Sequence, residues 1–153
     1  IDSKIDPFAV CNDGSPTAFH FAPAIDPAYQ NTFLIYLPGG GQCFDYESCT
    51  TRWKESGNTY MSSKSYPNKT LRGGIFDTDP TNSPFWGANK VILGYCTSDG
   101  YMGDVGASDQ TWGWHFRGAR TVITLVKDLM KNYGMSEKST IIMSGGSAGA
   151  RGT

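Results

Sequence analysis

The residues with the clearest chemical potential form a run of small side chains near the C-terminal end of the sequence. Residues 144–149 read Ser-Gly-Gly-Ser-Ala-Gly and directly follow residues 139–143, a short apolar run that predicts a strand. Within the run, Gly145-x-Ser147-x-Gly149 matches a pattern in which glycines permit a sharp strand-to-helix turn that exposes a serine hydroxyl. The pattern predicts a nucleophilic serine. The alternative is a plain Gly/Ser turn without a nucleophile.

A second glycine-rich segment comes from a distant part of the chain. Gly39-Gly40-Gly41 follows Thr32–Leu37, another apolar run that predicts a strand. The triplet resembles the loop that precedes the nucleophile in esterases, whose N–H groups hold a tetrahedral oxyanion. We therefore expect an oxyanion hole formed by the N–H groups of Gly40, Gly41 and Ala148. Phosphate binding is the alternative, but the Gly-Lys-Ser/Thr ending of a P-loop is absent.

Three apolar runs and one helix must position these segments. The runs lack polar alternation, which is typical of a parallel sheet covered on both faces. They span residues 32–37, 90–95 and 139–143. Between the second and third runs, apolar residues from 116 to 133 recur at spacings of three and four, which predicts a helix that stops at Gly134. Strand, helix and strand together indicate an α/β fold with an at least partly parallel sheet.

The predicted helix has a polar face, and the chain ahead of the second strand has no clear period. Arg117, Arg120, Thr124, Lys127, Asp128 and Lys131 are expected on the polar face of the helix. Residues 43–89 are rich in Gly, Ser, Thr, Asn and aromatic side chains. They predict irregular loops with a short helix or two, which would shape the wall of a pocket.

The composition indicates one globular domain. The chain has 153 residues, of which 39% are hydrophobic and 19 are glycine, while only 18% are charged. The formal net charge of −1, without a basic stripe, argues against nucleic acid and anionic membranes as partners. No apolar run reaches the roughly 18 residues that a membrane span requires.

The four cysteines form an even set without a CxxC pair. Cys43 and Cys49 lie six residues apart across a polar turn, so that a disulfide between them is sterically easy and Cys11–Cys96 would complete the set. Four cysteines permit three pairings. Four buried free thiols are an alternative, and a zinc site fits less well because the spacings differ from those of known zinc ligands.

One N-glycosylation sequon, Asn68-Lys69-Thr70, lies next to a loop-like stretch. Together with the even cysteine set, it favours a secreted or lumenal protein. The sequence lacks a charged-then-apolar leader, so we expect any signal peptide to have been removed.

Five blocks of the sequence, in order and spread over nearly its whole length, resemble the pectin acetylesterase/Notum family of carboxylesterases, with the plant-type pectin acetylesterase branch closest. They are CNDGSP at 11–16, LPGGGQCFDYESC at 37–49, PFWGANKVILGYCTSDG at 84–100, HFRGAR at 115–120 and SGGSAGARG at 144–152. The resemblance implies an α/β-hydrolase fold, Ser147 as nucleophile, the oxyanion hole named above and a Cys43–Cys49 bridge beside the mouth of the site. It implies no metal and no organic cofactor.

The implied activity is that of a serine carboxylesterase that removes O-acyl groups, above all acetyl, from an extracellular polysaccharide such as pectin. The reaction would pass through an acyl-enzyme on Ser147. One alternative is a catalytically silent family member that acts as an extracellular structural or glycan-binding protein. Another is a lipid esterase that deacylates proteins, to which the polar, glycine-rich residues 97–113 give little support.

Catalytic partners of the serine are not evident in the sequence. In α/β-hydrolases the acid and the histidine follow the nucleophile, so both are expected beyond Thr153 and residues 1–153 are interpreted as the N-terminal portion of one domain. His20 and His115 are the only possible internal bases; His115 is predicted to be a hydrogen-bonded structural residue, and His20 a packing or surface residue. Asp99 and Asp104 follow the second strand and could line a pocket, with loop capping as the alternative.

Overall fold

A mixed four-stranded sheet forms the centre of the fold in the computed structural model, which describes residues 1–68, 70 and 73–153, with Asn58 described by its backbone alone. The strands are β1 (Phe19–Ala22), β2 (Thr32–Leu37), β3 (Asn89–Leu93) and β4 (Thr140–Gly145). Their order across the sheet is β1-β3-β2-β4. β2 runs parallel to both β3 and β4, whereas β1 is antiparallel to β3. The partly parallel sheet is therefore confirmed.

Three α-helices and three short 3₁₀ helices connect the strands within the described residues. The α-helices are α1 (Tyr46–Tyr60), α2 (Gly118–Asn132) and α3 (Ala148–Arg151), and the 3₁₀ helices span Pro27–Tyr29, Gly74–Phe76 and Asp109–Thr111. α1 begins with a capping box in which Asp45 and Ser48 bond each other's backbone N–H groups, and it is kinked at Ser56. This 15-residue helix is longer than the short helices expected from residues 43–89.

The bounds of β3 and β4 differ from the sequence-based prediction at both ends, by one residue at the start and by two at the end. β3 spans Asn89–Leu93 rather than residues 90–95, because its residue pairs end at Ile92 against β2 and at Leu93 against β1, and the N–H of Gly94 adds one further bond to the carbonyl of Ala18. β4 continues to Gly145, because Ser144 and Gly145 still pair with the last two residues of β2.

The main hydrophobic core lies against β2 and β3. Every residue of β3 is buried, as are Phe33, Ile35 and Leu37 of β2. The prediction that all three apolar strands are covered on both faces is wrong for β4, whose Ile141 and Met143 are 44% and 36% exposed. The reason is topological, since β4 is an edge strand that pairs with β2 alone among the described residues.

The polar face predicted for α2 is partly wrong. Thr124 and Asp128 are buried, although both were expected to face solvent. The N-terminal segment of the chain covers this side, because Asp128 Oδ2 accepts a 2.7 Å hydrogen bond from the N–H of Asp2. Ile123 and Met130, expected on the buried side, are instead 56% and 45% exposed.

Two disulfides cross-link the chain outside the strands. Cys11 bonds Cys96 and Cys43 bonds Cys49, which is the pairing that the local spacing favours. The predicted glycosylation site, Asn68, is exposed, and the next residue of its sequon, Lys69, lies outside the described residues.

Candidate active site

Ser147 lies at the turn between β4 and α3 in a backbone conformation that non-glycine residues rarely adopt. Its φ is 52° and its ψ is −118°. Such conformations cost about 1–3 kcal/mol and are concentrated at functional sites. The side chain is exposed, and its hydroxyl makes no hydrogen bond to any other group in the described part of the chain.

Close backbone contacts with β2 hold this turn in place. The N–H of Gly146 donates to the carbonyl of Leu37 at 3.1 Å, and the N–H of Gly149 donates to the carbonyl of Gly146 at 2.9 Å. A Cβ on Gly149 would collide with the Leu37 carbonyl, so the turn can pack here only with glycine at this position. Gly146 and Gly149 thus hold the turn against the end of β2.

The loop of three glycines after β2 lies directly beside the serine. A Cβ on Gly39 would stand 2.6 Å from both the Cβ of Ser147 and the carbonyl oxygen of Gly146. Among the described residues, no protein group accepts a hydrogen bond from the N–H of Gly40, Gly41 or Ala148. The fold therefore brings the glycine loop against Ser147 through Gly39, with the N–H groups of Gly40, Gly41 and Ala148 unbonded among the described residues.

The chain on the far side of Gly41 is fixed by a disulfide and by a neighbouring loop. The Cys43–Cys49 bridge joins this segment to the first turn of α1, and the N–H of Cys43 donates to the carbonyl of Ser98 at 3.1 Å. Arg52 of α1 donates from Nε to the hydroxyl of Ser98 at 2.8 Å. Burial lowers the pKa of this guanidinium, and the nearby Tyr95 and Tyr60 oppose the shift.

Asp99 has the loop-capping contacts given above as the alternative to a pocket role, whereas Asp104 forms ion pairs, which the sequence does not predict. Asp99 accepts hydrogen bonds from four groups, including the N–H of Gly118 at the start of α2 at 2.7 Å. Burial raises the pKa of Asp99, while these hydrogen bonds act in the opposite direction. Asp104 pairs with Arg117 at 2.6 Å and Arg120 at 2.9 Å, and hydrogen bonds from both arginines lower its pKa.

Neither histidine bonds Ser147 in the described part of the chain. His115 Nδ1 accepts a hydrogen bond from the N–H of Ala107 at 3.3 Å, and its backbone bonds that of Asn12. Burial and the charge of Arg117 lower its pKa. His20 belongs to β1, where it pairs with Ile92 and borders a cavity. His115 thus has the hydrogen bond expected of it, and His20 lies in the sheet beside the cavity.

That cavity, of about 400 Å³, adjoins the glycine loop through Pro38 and Gly39. Four tyrosines contribute to its wall, namely Tyr36, Tyr60, Tyr66 and Tyr95. Sequence patterns give no indication of this cluster, because its members come from separate elements and share no motif. The one usable signal is that β2 and β3 are parallel, so that Tyr36 and Tyr95 reach the same edge of the sheet.

The described residues hold neither a cluster of metal ligands nor a membrane-spanning helix. Residues 1–68, 70 and 73–153 contain no group of three or more His, Cys, Asp or Glu side chains that could hold a metal ion. None of the helices described there has the length and apolar character needed to cross a membrane.

Comparison with known proteins identifies relatives over the whole chain. The sequence model of the family described as Pectinacetylesterase matches residues 1–153. Pectin acetylesterase 11 of Arabidopsis thaliana is 34% identical over 151 residues, covering 98% of this chain and 37% of the relative. The human palmitoleoyl-protein carboxylesterase NOTUM is 32% identical over 143 residues, covering 93% of this chain and 28% of the relative. The chain thus spans less than two-fifths of the length of these relatives.

The fold has a close match among solved structures. The crystal structure of the Wnt deacylase Notum from Drosophila superimposes with a TM-score of 0.85 at 31% identity. The match covers 96% of this chain and 42% of the Notum chain. The α/β-hydrolase fold expected from the sequence is thereby confirmed, and the chain belongs to the pectinacetylesterase family.

Proposed function

We propose that this chain carries the nucleophile and oxyanion hole of a serine carboxylesterase that removes acetyl groups from an extracellular polysaccharide such as pectin. One observation carries the proposal. Ser147 is held in a strained, exposed turn against a glycine loop, and the N–H groups of Gly40, Gly41 and Ala148 make no hydrogen bond to another described group, as the proposed oxyanion hole requires.

The proposed reaction has two steps. Ser147 Oγ attacks the carbonyl carbon of the ester, its proton passes to a base, and the oxyanion accepts hydrogen bonds from the three N–H groups. Collapse of the tetrahedral intermediate breaks the bond to the sugar oxygen, which leaves as the alcohol with that proton. Water then attacks the acyl-enzyme in the same way, which releases acetate and restores the serine.

The rest of the machinery is proposed to lie in the remainder of the protein. The relatives are much longer than this chain, and the exposed apolar edge strand β4 is suited to pair with a further strand. We therefore interpret residues 1–153 as the N-terminal portion of one domain whose later residues supply the triad Asp and His. The chemistry needs no metal or organic cofactor.

A sugar ester is the favoured substrate class, although the relatives differ in the acyl group and acceptor that their names state. The tyrosine-lined cavity beside Gly39 combines ring faces with hydroxyl groups, a surface suited to a sugar ring. The pectin acetylesterase name of one relative supports an acetylated polysaccharide. The name of the NOTUM relative suggests the main alternative substrate, a longer acyl chain attached to a protein. A carbohydrate ester is accordingly the proposed partner, and nucleic acid is not.

The two disulfides support secretion, because disulfides persist in oxidising compartments. The exposed Asn68 is consistent with a glycosylated surface.

The direct test uses the full-length protein, acetylated pectin and p-nitrophenyl esters of acetate and palmitate. The proposal expects acetate release from pectin, preference for the acetyl ester over the palmitoyl ester, and loss of both activities in Ser147→Ala. Preference for the palmitoyl ester would favour protein deacylation instead. Binding of pectin without hydrolysis would favour a silent, glycan-binding relative.

A further inference from the structure

The glycine loop has no side chains with which to fix its own shape. Gly40 and Gly41 have φ values of 154° and 71°, and a run of three glycines is the most flexible segment that a chain can offer. An oxyanion hole works only if its donors are held in place before the reaction. Groups outside the loop must therefore hold it.

The hydroxyl of Tyr95 lies between this loop and a second one. It donates a 2.7 Å hydrogen bond to the carbonyl of Gly41 and accepts a 2.9 Å hydrogen bond from the N–H of Gly100. Burial raises the pKa of Tyr95 to about 12, so the hydroxyl keeps its proton at neutral pH and can donate it. One phenol thus joins two loops that are distant in sequence.

Tyr101 holds the opposite end of the glycine loop. Its hydroxyl donates to the carbonyl of Pro38 at 3.2 Å. The rings of Tyr95 and Tyr101 are 4.8 Å apart between centroids, and both side chains are buried. The Arg52 guanidinium lies 5.9 Å from the centre of the Tyr95 ring. The two phenols are therefore fixed with respect to each other.

The hydrogen bonds from Tyr101 and Tyr95 lie on either side of the peptide units that carry the proposed oxyanion-hole donors. Each peptide unit is planar, so that fixing a carbonyl also fixes the N–H of the next residue. The Pro38 carbonyl shares its plane with the N–H of Gly39, and the Gly41 carbonyl shares its plane with the N–H of Gln42. Between these anchors lie the two peptide units that carry the N–H groups of Gly40 and Gly41.

We infer that Tyr95 and Tyr101 are positioning residues that hold the glycine loop from both ends with its N–H groups set to receive the oxyanion. This inference rests on the proposed esterase function. The hydroxyls of both tyrosines act through the backbone of residues 38–41, and this role is separate from the contact with a sugar that is proposed for the cavity lined by Tyr95.

The kinetic test uses the full-length protein with Tyr95→Phe, Tyr101→Phe and the matched control Tyr29→Phe. Tyr29 also donates from its hydroxyl to a backbone carbonyl, that of Pro84 at 3.3 Å, in another part of the fold. With p-nitrophenyl acetate, well below the melting temperature, kcat is expected to fall at least about tenfold in Tyr95→Phe and about threefold in Tyr101→Phe. KM should change by less than about twofold, and the control should match the wild type. An unchanged kcat in Tyr95→Phe, or a loss confined to KM, would overturn the inference.

A second measurement does not depend on activity. In full-length protein labelled with ¹⁵N-glycine, the amide order parameters of Gly40 and Gly41 should fall from about 0.85 to below about 0.6 in Tyr95→Phe and stay unchanged in Tyr29→Phe. A rigid loop in Tyr95→Phe would refute the positioning role. If the wild type hydrolyses no ester, the proposed function fails while these order parameters still decide whether the tyrosines hold the loop.

Discussion

A Cβ on Gly39 would stand 2.6 Å from the Cβ of Ser147, which places the loop after β2 in direct contact with the turn after β4. This contact joins two segments that are more than 100 residues apart in sequence. It exists because β2 and β4 are adjacent parallel strands whose carboxyl ends lie at the same edge of the sheet.

Substitution of Gly39 should therefore harm both stability and catalysis. In Gly39→Ala the new methyl group must displace either the turn at Ser147 or the glycine loop. We expect this displacement to lower the free energy of unfolding by about 2 kcal/mol. Displacement by about 1 Å should lower kcat/KM about 100-fold. Urea unfolding and ester hydrolysis of the full-length protein measure the two effects.

The matched control is Gly73→Ala. No described atom lies within 4 Å of a Cβ at Gly73, whose φ is −100°. If Gly39→Ala has the same stability and activity as this control, the glycine loop does not contact the turn at Ser147 as described.

The positive φ of Ser147 should lower the free energy of unfolding of the protein. Ser147→Ala retains the strained conformation, whereas Ser147→Gly relieves it at the expense of greater freedom in the unfolded chain. We expect the free energy of unfolding of Ser147→Gly to exceed that of Ser147→Ala by about 1 kcal/mol. Urea unfolding of both full-length variants tests this. Equal stabilities would show that the turn is unstrained.

The fold was predictable from sequence where a local pattern coincides with burial. β2 has the predicted bounds, and α2 ends before Gly134 as its periodicity indicates. α1 was underestimated because Tyr46–Tyr60 is mostly polar and depends on a capping box and a disulfide rather than on an apolar stripe. β1 was missed because its four residues, Phe19–Ala22, are too few to show a period.

In the candidate site, residues that belong to a local motif were predictable from the sequence, whereas contacts that the fold creates were not. The serine motif and the glycine loop have local signatures, so their residues could be named individually. The burial of Asp128 in α2, outside the site, could not be predicted, because it depends on the N-terminal segment, where the N–H of Asp2 donates to the Asp128 carboxylate. The same holds for Tyr95, whose hydroxyl meets Gly41 only after the two loops are brought together by the sheet.

The two disulfides should differ in their contribution to stability. Cys11–Cys96 closes a loop with a sequence separation of 85, whereas Cys43–Cys49 has a separation of 6. Loop-closure entropy then predicts a loss of about 4.5 kcal/mol for the paired Cys11→Ser and Cys96→Ser substitutions and about 2 kcal/mol for the shorter bridge. Denaturant unfolding of the two double variants gives the comparison, and a larger loss for the shorter bridge would contradict it.

Asp13 should make stability depend on acid pH. Burial alone would raise the pKa of Asp13, but hydrogen bonds from Ser15 and Lys64 lower it from 3.8 to about 2. Because the pKa is lower in the folded state, this contribution is present above the unfolded value and is lost as the pH falls through about 2.

Asp13→Asn should accordingly lower the free energy of unfolding by roughly 1–2 kcal/mol at neutral pH. The difference from the wild type should shrink between about pH 4 and about pH 2. Urea unfolding across this range measures the effect. A difference that stays constant down to about pH 2 would indicate that the charge of Asp13 is not responsible.

The central claim is that Ser147 is the nucleophile, and the most direct measurement is the site of attachment of a fluorophosphonate probe on the full-length protein. Peptide mass mapping should find a single adduct on Ser147, no adduct in Ser147→Ala, and full labelling in Ser144→Ala, which alters the neighbouring serine of the same motif. Labelling that persists in Ser147→Ala, or a wild-type protein that hydrolyses acetyl esters without taking the probe at Ser147, would contradict the account.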